Sequence, residues 1–159
     1  MSFNVVIDSN DRIAGNANND ILKHRYALDW SFLEQSEDYE LTFSFVISGE
    51  KSYESLYDFT CIALTGLGTQ IMTYKASGST DAKNSNVIGL VERDVFSRQD
   101  VNKMMTFRAS PANVPVILKG RPSNNLFQVD LLKNSTEFAT NALTASNEYI
   151  LILHFNKKD

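Results

Sequence analysis

Catalysis near neutral pH needs a group that titrates there, an activated nucleophile or a bound metal. This sequence offers two histidines, His24 and His154, and one cysteine, Cys61. A catalytic triad is defined by geometry in space, so either histidine could join a serine far along the chain. No Gly-x-Ser-x-Gly nucleophile elbow marks such a serine. Neither histidine belongs to the His/Cys spacing of a zinc motif. Both read as structural or surface histidines. Cys61 sits in the apolar run Phe59-Thr60-Cys61-Ile62-Ala63-Leu64 and reads as a small core residue.

The carboxylates are as spare. Asp8 and Asp11 flank Ser9-Asn10, but the glycine and distal glutamate of a calcium loop are missing. Asp and Asn side chains bond local backbone, so a turn is expected. Glu34, Glu37, Asp38 and Glu40 form an acidic stretch, read as a solvated loop or a surface for a basic partner. Gly66-Leu67-Gly68 reads as a turn between strands, because a dinucleotide fingerprint must open a helix. Trp30 and the tyrosines could form a sugar-binding platform, although alternating aromatics in a sandwich belong more often to the core. No cofactor and no metal is expected.

The elements that would position these groups are strands. In Tyr39 to Ser48, residues Tyr39, Leu41, Phe43, Phe45 and Ile47 share one face. Glu40, Thr42, Ser44 and Ser48 take the other, with Val46 the exception. Period two is the signature of a half-buried strand, since successive side chains point to opposite faces. Further strands are expected at 3–8, 24–30, 57–64, 69–75, 87–91, 103–108, 116–118, 126–132 and 148–155. Gly15 to Asp20 and Ala76 to Asn86 read as loops, the second a flexible one. Helix should be minor: a short one around Asp29 to Glu34 with Asp29 as cap, and a helical turn at Phe96 to Asn102. About ten short strands with regular turns predict one all-β domain over 1–159, an antiparallel β-sandwich of jelly-roll type.

Composition narrows the function classes. The chain has 159 residues, 43% hydrophobic and 21% charged, which suits one domain with a real core. A net charge of -4 with scattered Lys and Arg disfavours nucleic acid, which demands a positive field. The start Met1-Ser2-Phe3-Asn4 lacks the basic and apolar regions of a secretion signal, so none is expected. No run is long enough for a membrane-spanning helix. The sequon Asn134-Ser135-Thr136 therefore reads as a polar turn.

Three segments carry a resemblance. They are Val5-Val6-Ile7-Asp8-Ser9-Asn10-Asp11-Arg12 with Gly15 and its Asn-rich loop; Tyr26-Ala27-Leu28-Asp29-Trp30-Ser31-Phe32-Leu33-Glu34 with Tyr39 to Phe45; and Glu148-Tyr149-Ile150-Leu151-Ile152-Leu153-His154-Phe155. Together the arrangement resembles small minor capsid proteins of large icosahedral, nucleocytoplasmic double-stranded DNA viruses. That resemblance implies a non-enzymatic jelly-roll module that cements capsomers in the virion shell and is assembled in the host cytoplasm. Its partners would be the major capsid protein and other minor capsid proteins, with no nucleic acid, no membrane insertion and no cofactor. Phe32, Tyr53 and Phe138 lie outside the clear strands and are candidate interface anchors. A carbohydrate- or receptor-binding sandwich is the alternative. An enzyme would need His24 or His154 in a pocket with carboxylates.

Overall fold

The computed structural model describes residues 1–14, 22–50, 60–69, 71–76, 82–93, 104–132 and 148–159. Eleven strands are present among them: β1 (Ser2–Asp8), β2 (Lys23–Ala27), β3 (Asp38–Glu50), β4 (Cys61–Thr65), β5 (Ile71–Ala76), β6 (Ala82–Ser85), β7 (Val87–Arg93), β8 (Met104–Ala109), β9 (Val116–Lys119), β10 (Leu126–Leu132) and β11 (Glu148–Lys157). All pairings are antiparallel.

The long strand β3 organises the first layer. Its alternation holds: Tyr39, Leu41, Phe43, Phe45 and Ile47 are all buried. One edge of β3 pairs with β11 from Tyr39 to Ser48. Its other edge pairs first with β9, then with β8. Strand β1 adds outside β11, giving the order β1-β11-β3-β8. The second layer runs β2-β10-β4-β7. Strands β7 and β8 also pair, so the sheet curls from one layer into the next.

Set aside β5, β6 and β9, and number the other eight strands in chain order. The layers then read 1-8-3-6 and 2-7-4-5, the strand order of a jelly roll. The sandwich expectation holds, and the structure supplies the connectivity. The hairpin β5–β6 and the strand β9 are additions, attached beside the first half of β3.

The core lies between the layers and is rich in aromatics. Trp30 packs against Phe127 at 5.4 Å and Phe155 at 6.0 Å between ring centroids. The hydroxyls of Tyr26 and Tyr149, one from each layer, meet at 2.5 Å. Burial pushes the Tyr26 phenol up to about 12 and the Tyr149 phenol well above its usual value. The pair is therefore neutral at physiological pH, and each hydroxyl satisfies the other inside the apolar interior. Gly89 shows how close the layers come. A Cβ there would lie 2.6 Å from Phe43 Cε1 and 2.7 Å from Asn113 Oδ1, so a larger residue would displace these side chains.

Three expectations need correction. The second strand, expected over 24–30, ends at Ala27, and Asp29 and Trp30 belong to the turn that follows. Residues 82–85 form strand β6, paired with β5 from Thr73↔Ser85 to Ala76↔Ala82, where a flexible loop was expected. Its sequence, Ala-Lys-Asn-Ser, shows no apolar alternation, because backbone pairing to β5 rather than an apolar face holds it. The Asp29–Glu34 helix does not form. Asp29 Oδ1 does accept from Ser31 N, at 2.9 Å, as a cap would. The bond closes a turn instead, with Leu33 N donating to Trp30 O at 2.9 Å. Burial of both Trp30 and Leu33 in the core anchors that turn. Gly15 to Asp20, the helical turn at 96–102 and the sequon at 134–136 lie outside the described residues.

Candidate functional site

Strands β2, β10 and β4 carry a row of polar side chains on the outer face of the second layer. Gln128 pairs across to Arg25 on one side and Thr65 on the other. Two residues on, Asp130 pairs to Lys23 and Ala63. Side chains two apart on a strand share a face, so these residues form one linked group. Thr65 Oγ1 donates to Asp130 Oδ2 at 2.9 Å. Gln128 Nε2 donates to Asp130 Oδ1 at 2.5 Å. Arg25 Nε donates to Gln128 Oε1 over a longer 3.4 Å.

Asp130 is only 4% exposed. Burial pushes its pKa above the ordinary carboxylate value, while the Gln128 and Thr65 hydrogen bonds and the Lys23 charge pull the other way. Beside it, Cys61, Ala63 and Leu132 form a small apolar cluster on this outer face, with Val87 packed against them. The second layer is therefore buried on both faces at that end. The expectation for Cys61 holds: its thiol is buried and unpaired with another cysteine.

A cleft of about 860 Å³ opens at the other end of the row, with Arg25, Thr65, Gln128, Asn124 and Leu126 among its walls. Its rim is the turn 121–125, which enters β10. That turn is tied to Gly66-Leu67-Gly68. Asn124 Nδ2 donates to Gly66 O at 3.1 Å, and Ser123 Oγ donates to Gly68 O at 3.2 Å. Gly66 and Gly68 have φ of +83° and +68°. A Cβ on Gly68 would overlap Ser123 Oγ, so glycine is required by both conformation and space. The glycines read as a turn are one, and they also brace the cleft.

The outer face of the first layer carries a second polar row. His154 Nδ1 and Asn4 Oδ1 are 2.8 Å apart, and His154 Nε2 and Ser44 Oγ are 2.9 Å apart. An amide oxygen only accepts, so it places the proton on Nδ1, and the serine hydroxyl then donates to Nε2. This is the bonding order of a nucleophile, base and orienting amide. Its setting is different. Asn4 and His154 are direct cross-strand partners, and Ser44 sits mid-strand opposite Ile152, on an open sheet face. Backbone N–H groups of a mid-strand residue serve the ladder, which leaves them badly placed to hold an oxyanion.

The remaining candidates are placed as follows. His24 is buried in the core, 6.4 Å from the Tyr26 ring and 6.2 Å from the Tyr149 ring. Asp8 caps the 3-10 turn Ser9–Asp11, accepting from Asn10 N at 2.8 Å, as the turn reading expected. Among the described residues, no group of three or more His, Cys, Asp and Glu is arranged to hold a metal ion. The acidic stretch meets the chain's own lysines. Lys157 Nζ lies 3.2 Å from Glu34 and 3.3 Å from Glu37, and Lys119 Nζ lies 2.6 Å from Asp38. Glu34 and Glu37 hold the Lys157 ammonium above its ordinary pKa.

Trp30, Tyr26, Tyr39 and Tyr149 are all core residues, so none supplies a sugar-stacking platform. Phe32 is half-buried, with Phe3 at 5.5 Å and Phe155 at 6.1 Å, which seats it on the edge of the core. Tyr53 and Phe138 lie outside the described residues. Sequence reasoning missed the Asp130 row, the Asn4–His154–Ser44 row and Asn113. The Asn113 amide bonds both the N–H and the C=O of Leu90 at 2.8 Å, standing in for a strand.

No helix among the described residues is long and apolar enough to cross a membrane. No family model matches the chain, and no curated protein matches it.

Proposed function

We propose that this chain is a non-enzymatic structural protein of a virus particle, a minor capsid protein that binds and cements capsomers of the major capsid protein. Its partners are then the major capsid protein and neighbouring minor capsid proteins. Its place is the virion shell, assembled in the host cytoplasm. The observation that carries this reading is the strand order 1-8-3-6 over 2-7-4-5, since the jelly roll recurs in viral capsid and lectin domains. Fold alone never fixes function, so the surface matters too.

The outer face of the first layer supports the same reading. Val6, 63% exposed, and Ile150, 42% exposed, stand on strands β1 and β11. Ile152 pairs with Val6, and Val46 pairs with Ile150, extending the aliphatic strip over three strands. An exposed apolar strip rimmed by polar side chains suits contact with another protein. Phe32, Tyr53 and Phe138 are the candidate anchors.

The test is quantitative mass spectrometry of purified particles, with the copy number of this chain taken against the major capsid protein. A fixed stoichiometry of many copies is expected. Absence from particles, or trace amounts that vary between preparations, overturns the proposal.

A further inference from the structure

We infer that the cleft beside the Arg25–Gln128–Asp130 row is a binding site for an anionic sugar, one bearing a carboxylate. The inference does not rest on the shell role and stands on four observations.

The first is size. At about 860 Å³ the cleft is open to solvent and has room for a sugar-sized ligand. A second cleft of about 380 Å³ lies across the same turn and shares Ser123 and Asn125 with the first, so the turn is walled by space on both sides.

The second is lining chemistry. Thr65 and Ser123 give their hydroxyl protons to Asp130 and Gly68, so their oxygens can accept from a sugar hydroxyl, while the Asn124 and Gln128 amides each carry a second N–H and Asn125 adds a further amide to the lining. The exposed aliphatic side chains of Ile13 and Leu126 offer apolar surface for the C–H groups of a sugar ring.

The third is charge. Among the described residues lining the larger cleft, Arg25 is the one charged side chain. Asp130 lies behind Thr65 and Gln128, which both donate to it. The chain carries a net charge of -4, so a guanidinium in the cleft wall is the feature there that would select an anion. A guanidinium matches a carboxylate with two parallel hydrogen bonds.

The fourth is rigidity. The rim is fastened at Gly66 and Gly68 by the Asn124 and Ser123 side chains, and by Leu28 N donating to Asn125 O at 2.9 Å. Arg25 and Gln128 stand on paired strands. A site held on such supports loses little entropy when a ligand enters.

The experiment is saturation-transfer NMR with isothermal titration on the full chain. The probes are N-acetylneuraminic acid, glucuronic acid and sialyllactose, with lactose as the neutral control. Saturable binding of at least one acidic probe is expected, at least about tenfold tighter than lactose. Arg25→Ala should weaken it by at least about tenfold, by loss of the carboxylate fork. Asn125→Asp should weaken it too, by placing a like charge at the rim. Circular dichroism of both variants should match the parent, since both positions are exposed. No saturation by any acidic probe, equal binding of lactose, or unchanged binding by folded Arg25→Ala overturns the inference. Because the readout is ligand binding, it stands or falls apart from particle stoichiometry.

Discussion

The two outer faces carry two cross-strand polar rows with opposite surroundings. On the first layer, Asn4, His154 and Ser44 are linked by hydrogen bonds of 2.8 and 2.9 Å on an open face, with Asn4 and Ser44 exposed. On the second, Thr65, Asp130 and Gln128 are linked by bonds of 2.9 and 2.5 Å, and Asp130 is buried. The bonds are alike in length; the solvent is not. Water competes for every group in the first row, so its net contribution is small. In the second, Asp130 is withdrawn from water, so a lost donor leaves its carboxyl with nothing to replace it. The comparison teaches that hydrogen-bond geometry alone does not rank a polar cluster. The dielectric around it does.

The strongest way to break this contrast is to remove the buried acceptor. Asp130→Ala should destabilise the fold by about 2 kcal/mol, because it removes two hydrogen bonds worth about 1 kcal/mol each. Urea denaturation measures it, and a loss as small as that of an outer-row variant would erase the difference between the faces.

The pH dependence sharpens the contrast next. The folded pKa of Asp130 is raised, so the native state holds its proton more firmly than the unfolded chain does. Its contribution to stability is then fullest below the unfolded value of about 3.9 and declines as pH rises through the raised folded pKa. Asp130→Asn removes this titration while keeping a side chain that still accepts. Relative to that variant, the parent should gain stability on acidification across this window. The difference in urea midpoints between the two proteins, followed with pH, checks the sign; a parent that loses ground on acidification would reverse it.

The outer row should respond least. Ser44→Ala and His154→Gln are each expected to change stability by no more than about 0.5 kcal/mol. A fluorophosphonate probe is expected to leave Ser44 unlabelled, read by intact-mass spectrometry. Labelling of Ser44 that His154→Gln abolishes would promote the outer row to a working nucleophile and end its description as a surface ladder.

What could be read locally from the sequence is what depends on neighbours in the chain. The alternation from Tyr39 to Ile47 marked β3 and its buried face, because period two acts within one strand. Apolar, β-rich runs between turn residues marked β1, β10 and β11, and local turn chemistry marked the Asp8 turn and the Gly66-Leu67-Gly68 turn. Local pattern failed at β6, where backbone pairing without apolar alternation leaves no local mark. It failed at Asp29, where a cap residue closed a turn because the core claimed Trp30 and Leu33. It was silent on the bulge between Ile62 and Ala63, where β4 and β7 slip register. A bulge is a mismatch between two strands, so one strand cannot announce it.

Strand count suggested a jelly roll, but only the tertiary structure decided the order of the strands. Asn4 meets His154 across 150 positions, and Thr65 meets Asp130 across 65. Contacts at such separations are set by which strands pair and in what register, not by the residues flanking either partner. Burial is likewise collective. Asp130 reads in sequence as one aspartate in an apolar strand. Its desolvation, its raised pKa and the cleft beside it exist only once β2, β10 and β4 lie side by side.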